Sequence, residues 1–363
     1  MTVTFAEKLS RIPHYEAGMP VADARAAYGA EDAIKLASNE SPFPPHPKVI
    51  EAIARAAKEL NRYPDQHARL LRRRIAERFD ADPAGVAVGN GSCELLLAAS
   101  EALCEPGAEI VYAWPAFSIY PHLAALSGAR EIQIPLAEGY VHDLEAMLPE
   151  ITAATQLLLI CNPNNPTGTF IPAERIGEFM EQVPDHVTVI LDEAYVEFQV
   201  VEDPETSLGL LRDFPNLVCL RTFSKSYGLA GLRVGYALCS ARFRSAVDAV
   251  RQPFSVNALA QAAGAEAILH HDDALRRIER TVAERMWVEE AVRELGLATA
   301  DTETNFSWVA LGDRDEGEVV ESLGRSGVIV RPGDQLGGPG HVRVTHGTRP
   351  ENERFIAALR EAL

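Results

Sequence analysis

Four segments of this 363-residue chain carry residue types that could act together chemically. In VAVGNGSCELLLAA, Gly89 and Gly91 allow a sharp turn between an apolar strand and a helix. The amides of Ser92 and Cys93 then stand at the positive end of that helix, where an anion is favoured. A plain strand-to-helix turn would explain the same glycines, so this segment alone leaves phosphate binding open. It argues against a dinucleotide, because Glu94 holds the third glycine position and no acid ends the next strand. No G-x-x-x-x-G-K-S/T run occurs, so nucleotide hydrolysis of that kind is unsupported.

The other segments place polar groups just past apolar strands. LLLICNPNNPTG puts Asn165 in a turn, and VTVILDEAY puts Asp192 and Tyr195 beyond a strand. LVCLRTFSKSYGLAGLRVGYAL carries Ser224, Lys225 and Arg233. Singly, each has an ordinary explanation. Asn-Pro and Pro-Thr-Gly are turn dipeptides, an acid after a strand often caps a helix, and a lone lysine is usually solvated. Arg233 resists this, since a cation inside an apolar run needs a partner anion.

Bringing these groups together requires strands that end side by side. Apolar runs at 86–88, 109–113, 131–134, 156–161, 187–191, 217–221 and 233–238 read as buried strands. Amphipathic stretches such as 93–104, 172–182 and 241–251 lie between them. Strands alternating with helices predict an α/β fold with a mainly parallel sheet covered on both faces. Ligands of such sheets gather at the carboxyl ends of the strands. Upstream, 1–30 reads as an arm, SNESPFPPHP at 38–47 as an extended loop, and 48–60 and 67–79 as helices. Beyond 252 the pattern changes to helices at 256–270 and 272–295, a strand at 305–310, a helix at 315–325, strands at 328–331 and 341–344, and a helix at 351–362. We therefore expect a large domain over 31–251 and a small α+β domain over 252–363. The arm should pack with the small domain.

Composition narrows the function. Lys+Arg number 34 against 52 Asp+Glu, a net charge of -18, and apolar residues make up 47%. The densest basic run, Arg69, Arg72, Arg73 and Arg74, has Glu77 beside it and reads as a solvated helix face. Nucleic acid is therefore not an expected partner. The cysteines are Cys93, Cys104, Cys161, Cys219 and Cys239, an odd number with no C-x-x-C spacing. Neither a disulfide framework nor a metal site is expected, and a reducing compartment is. The first residues do not read as a signal peptide, and no stretch approaches the roughly 20 apolar residues of a membrane span. The expectation is a soluble cytoplasmic protein.

In order and together, NPNNPTG, DEAY and SKSYGLAGLRVG resemble the fold-type I pyridoxal-phosphate-dependent aminotransferases, most closely their histidinol-phosphate aminotransferase branch. The resemblance runs from LASNE at 36–40 to RVTHGTRPENERF at 343–355. It implies pyridoxal 5'-phosphate as cofactor and a large fold-type I domain with a small α+β domain. It makes Lys225 the lysine that forms an imine with the cofactor and later moves the substrate proton. Asp192 matches the acid that keeps the pyridine nitrogen protonated. Asn165 and Tyr195 match the partners of the ring hydroxyl, and Phe117, in WPAFSIY, matches the aromatic stacked on the ring. Catalytic roles thus fall to Lys225, Asp192 and Tyr195. Ser92, Cys93, Ser224 and Arg233 match the phosphate grip, although many relatives carry Asp where Cys93 stands. Tyr63, in NRYPD, matches a tyrosine reaching the phosphate from a neighbouring subunit, which implies a homodimer with shared sites.

The resemblance also implies glutamate and 2-oxoglutarate as one substrate pair. Arg343, in HVRVT, matches the arginine that grips a carboxylate or phosphate, and Arg331 and Arg354 match nearby arginines. Asn165 and Tyr15 complete the expected substrate set. Three guanidiniums suit the phosphate of L-histidinol phosphate, so the expected reaction converts it with 2-oxoglutarate to imidazole-acetol phosphate and glutamate, a step of histidine biosynthesis. An aromatic amino-acid aminotransferase would share the cofactor residues. A decarboxylase or lyase is disfavoured by Arg343. A regulator is disfavoured because the arm is too short for a DNA-binding domain and shows no basic recognition helix. His346 stands where a small apolar residue is expected.

Overall fold

The computed structural model describes residues 3–14, 16 and 18–363. After a two-residue strand β1 (Ile34–Lys35), the apolar runs become β2 (Val86–Gly89), β3 (Glu109–Trp114), β4 (Arg130–Pro135), β5 (Thr155–Cys161), β6 (Thr188–Asp192), β7 (Leu217–Thr222) and β8 (Gly235–Leu238). The last seven form one sheet in the order β2-β8-β7-β6-β5-β3-β4. Neighbours from β7 through β4 are parallel, and only β8 runs against the strands beside it. This is the expected α/β architecture. Alternate side chains leave opposite faces: Ile110, Tyr112, Leu157 and Leu159 enter one core, Val111, Leu158 and Ile160 another. Burial of each such leucine contributes about 1.5–3 kcal/mol.

Two strand expectations in the large sheet need correction. The run 131–134 was expected to be buried, but β4 is the sheet edge, and Arg130, Glu131, Gln133 and Pro135 are exposed. Charge on an edge strand blocks further pairing. The run 233–238 starts its strand only at Gly235, because Arg233 has φ 56° and forms a left-handed corner before β8.

The later strands are β9 (Ala298–Thr299), β10 (Phe306–Ala310), β11 (Val328–Ile329), β12 (Arg331–Pro332) and β13 (His341–Thr345). They make an antiparallel sheet β12-β13-β10-β9, while β11 pairs with β1 in parallel. The expected strand 328–331 is thus split between two sheets. The helices His271–Glu294, Glu316–Arg325 and Arg349–Ala362 cover this unit through Val288, Val292, Val319, Leu323, Phe355 and Leu359. The last helix opens with a Thr348/Glu351 capping box.

The helix Ala258–Ala267, expected in the small domain, instead buries Ala260 and Ala263 with Leu71, Ile75, Val88 and Phe223 beside the large sheet. Leu36, expected in the large domain, lies in the small unit's core. We propose that the boundary lies at the start of the helix His271–Glu294. The arm spans both units: Ala24 packs against Ile329, and Lys8 Nζ donates to Leu126 O at 2.9 Å. No helix among the described residues is long and apolar enough to cross a membrane.

Candidate active site

The last residues of three parallel strands, Cys161, Asp192 and Thr222, open onto one cleft of about 400 Å³. Its lining brings together Ser92, Cys93, Phe117, Asn165, Asp192, Tyr195, Ser224, Lys225, Arg233, Arg331 and Arg343. Of the remaining expected residues, Tyr15 lies outside the described residues. Tyr63 is 82% exposed and stacks on Phe254 at 4.7 Å, away from its own chain's cleft lining. Arg354, expected at the substrate, does not line the cleft. It donates to Asp32 Oδ2 and Ser326 O, both at 2.9 Å, and so ties the segment just after the arm to the small unit.

The anion end is built by close packing. Gly91 has φ 79°, and a Cβ there would lie 2.5 Å from an Arg233 terminal nitrogen. A Cβ on Gly235 would lie 2.5 Å from the Ser92 amide nitrogen. The two glycines therefore let the helix start, the β8 corner and the Arg233 guanidinium converge. Arg233 also donates to Ser224 Oγ at 3.3 Å and Ala230 O at 3.0 Å. Amides, hydroxyl and guanidinium in one place could hold a phosphate. Burial, then Asp192, pushes the Cys93 thiol up, with Arg233 and Lys225 opposing.

Deeper in the cleft, Asp192 is 2% exposed. Its Oδ2 accepts from the Tyr120 hydroxyl at 3.1 Å, and its buried Oδ1 has no hydrogen-bond partner. Burial pushes its carboxyl up to about 7, while Tyr120 and the Ala194 amide pull the other way. A cationic partner would restore the carboxylate. Lys225 Nζ donates to Ser38 O at 3.1 Å, and burial followed by the Arg343 guanidinium pushes the amine down to about 7. Arg343 donates to Asn165 Oδ1 and, at 2.8 Å, to Ala37 O. Arg331 donates to the arm at Glu16 O.

These features fit pyridoxal phosphate: a cradle for its phosphate, a buried acid with an unsatisfied oxygen for its ring nitrogen, and a partly deprotonated amine for its aldehyde. The class I and II aminotransferase family matches residues 31–359. The chain belongs to this family. It is 44% identical to an aromatic amino acid aminotransferase of Thermobifida fusca, over 97% of this chain and 95% of that one. It is 40% identical to a histidinol-phosphate aminotransferase of Geobacillus thermodenitrificans, over 98% and 97%. The histidinol-phosphate aminotransferase of Sinorhizobium meliloti, solved with pyridoxal-5'-phosphate, superposes with a TM-score of 0.90 at 28% identity, covering 100% of this chain and 98% of that one. The protein is thus a pyridoxal-phosphate-dependent aminotransferase of fold type I.

Sequence reasoning missed Tyr120, Ser38 and Asn39. Tyr120 meets Asp192 across 72 residues of sequence, and Asn39 meets Tyr195 across 156. Ser38 and Asn39 fall within LASNE and SNESPFPPHP, and Tyr120 within WPAFSIY, but none of these motifs gives them a role. His346 now has an account: it is 0% exposed, bonds Ser307 Oγ through Nε2 at 2.9 Å, and burial pushes it down to about 3, so it stays neutral. It is a polar tie between β10 and the loop after β13. Elsewhere, His46, His270 and Asp273 lie close enough to suit a metal ion. His46 Nδ1, however, accepts from the Lys48 amide at 3.2 Å, which puts the neutral ring's proton on Nε2, 2.6 Å from Asp273 Oδ2. That is a capping imidazole bonded to an acid rather than a ligand set.

Proposed function

We propose that the enzyme transfers the amino group of L-histidinol phosphate to 2-oxoglutarate, giving imidazole-acetol phosphate and glutamate. The observation that carries this reading is the pair Arg331 and Arg343, 4% and 5% exposed, both lining the cleft that holds Lys225. Guanidinium forks suit carboxylate and phosphate. Glutamate offers a carboxylate at each end, and histidinol phosphate offers a phosphate. When bound, the cofactor supplies an electron sink for the carbon whose proton is moved. Lys225 would hold it covalently, and its free amine would take that proton at Nζ. A base poised near 7 suits this work at neutral pH. Asp192 would keep the ring nitrogen protonated, Asn165 and Tyr195 would bond the ring hydroxyl, and Phe117 would pack on the ring. Ser92, Cys93, Ser224 and Arg233 would hold the phosphate.

A second reading, transamination of an aromatic amino acid, is favoured by the position of Arg354. With that residue turned to Asp32, two of the three expected substrate arginines, Arg331 and Arg343, line the cleft. Arg343 would then take the α-carboxylate. The deciding experiment is single-turnover conversion of the bound cofactor to its amine form by L-histidinol phosphate and by L-phenylalanine separately. The faster rate is expected with histidinol phosphate, and a much faster rate with phenylalanine overturns that assignment.

We also propose a homodimer in which the exposed Tyr63 of each copy reaches the other's phosphate cradle. Dilution should dissociate the dimer and abolish activity together, as read by sedimentation and assay at matched concentrations. A fully active monomer would contradict it. The five cysteines are unbridged, which fits a cytoplasmic location.

A further inference from the structure

Asn39 sits in the extended loop between β1 and the helix Pro47–Ala56. It is 1% exposed, and its φ of 53° lies in the left-handed region, which Asn enters more readily than most residues. Its N–H donates to Thr345 Oγ1 at 2.9 Å, and its carbonyl accepts from Asn305 Nδ2 at 3.2 Å. Its side chain pairs with Thr345 Oγ1 at 3.1 Å through Oδ1 and with the Tyr195 hydroxyl at 2.9 Å through Nδ2.

The Asn39 N–H can only donate, so the Thr345 hydroxyl accepts there. The Thr345 proton goes to Oδ1 and Nδ2 faces Tyr195. Nδ2 can only donate, so the Tyr195 oxygen accepts and its own proton must point elsewhere. We propose that Asn39, held by Thr345 of β13, is a positioning residue that aims the Tyr195 phenol proton into the cleft, as a donor to the cofactor's ring oxygen. The small unit is thereby coupled to the ionisation of the cofactor.

This inference rests on the role proposed for Tyr195. Burial holds the Tyr195 phenol above its usual range, against the pull of Arg343 and Asn39, so it remains a donor. The other ionisable groups near it are Cys161, Asp192 and Lys225, whose Nζ lies 5.6 Å from the ring centre.

The test is a pH titration of the holoenzyme's visible absorption. A donor to the ring oxygen favours the form in which that oxygen is negative, so losing it moves the colour change to higher pH. Tyr195→Phe should raise the midpoint by on the order of one unit, the effect of one hydrogen bond. Asn39→Asp should do the same, because a carboxylate accepts the phenol proton and withdraws it from the cofactor. Added to Tyr195→Phe, it should shift nothing further. Thr345→Val, which frees the amide to turn, should give a smaller shift in the same direction, and serves if the Asp variant fails to fold. No shift with Tyr195→Phe removes the role of Tyr195 and the proposal with it. A shift with Tyr195→Phe but with neither Asn39→Asp nor Thr345→Val overturns Asn39 alone. An Asn39→Asp shift that persists undiminished beside Tyr195→Phe also overturns it, since added charge would then explain the change.

Discussion

Lys225→Arg is expected to lower turnover roughly ten-thousand-fold, the upper end of what a positioned general base contributes. Arginine keeps a positive charge on a long side chain, but its guanidinium does not deprotonate in proteins. The variant therefore loses both the covalent hold on the cofactor and the proton acceptor. Borohydride should fix the cofactor to a peptide containing Lys225 in the parent enzyme and to none in the variant. A labelled peptide from another lysine, or a variant within tenfold of the parent, would remove Lys225 from its role. The depressed basicity adds a second measurement. Only the neutral amine attacks an aldehyde, so the rate at which apoenzyme recombines with pyridoxal phosphate should rise with pH and level off above about 7. A lysine at its ordinary value would still be accelerating at about pH 9.

Lys225 also shows why part of this site was legible in the sequence. Asp192, Thr222 and Cys161 end parallel strands, and the polar residues just beyond them must share the carboxyl edge of the sheet. Strand order need not be known for that conclusion. Arg233 was legible because an apolar run could not hide its charge, although its left-handed corner was not. Residues whose roles come from contacts between distant segments were another matter. Arg354 has the same local sequence whether it turns to a substrate or to Asp32, 322 residues away. Asn39 is one asparagine in a proline-rich loop until β13 and Tyr195 close around it. The exposed face of β4 was hidden for a related reason, since edge position depends on the order of all seven strands.

Arg221→Ala is expected to destabilise the fold by about 3–5 kcal/mol, as removal of one partner from a buried ion pair does. Arg221 and Glu193 have side chains 2% and 1% exposed, with Nε donating to Oε2 at 2.8 Å. Arg221 also donates to Pro204 O at 2.6 Å, and its guanidinium lies 5.4 Å from the centre of the Phe79 ring. Burial works against its charge, but Glu193, then Tyr236 and Glu197, hold it above its usual range. Truncation would leave Glu193 buried with the Ser207 hydroxyl but no cation. Urea unfolding should show the loss as a lower midpoint at an unchanged slope. The double variant Arg221→Met with Glu193→Met should recover much of it, because paired apolar replacement avoids the uncompensated charge. A single variant within 1 kcal/mol of the parent would mean that water reaches the pair. Glu193 directly follows Asp192 at the end of β6, and its N–H donates to Leu220 O at 2.8 Å. The ion pair therefore anchors the chain at the point where it presents Asp192 to the cleft. Arg221→Ala should accordingly retain less cofactor through gel filtration than a surface variant of equal stability, which separates this local effect from general loosening.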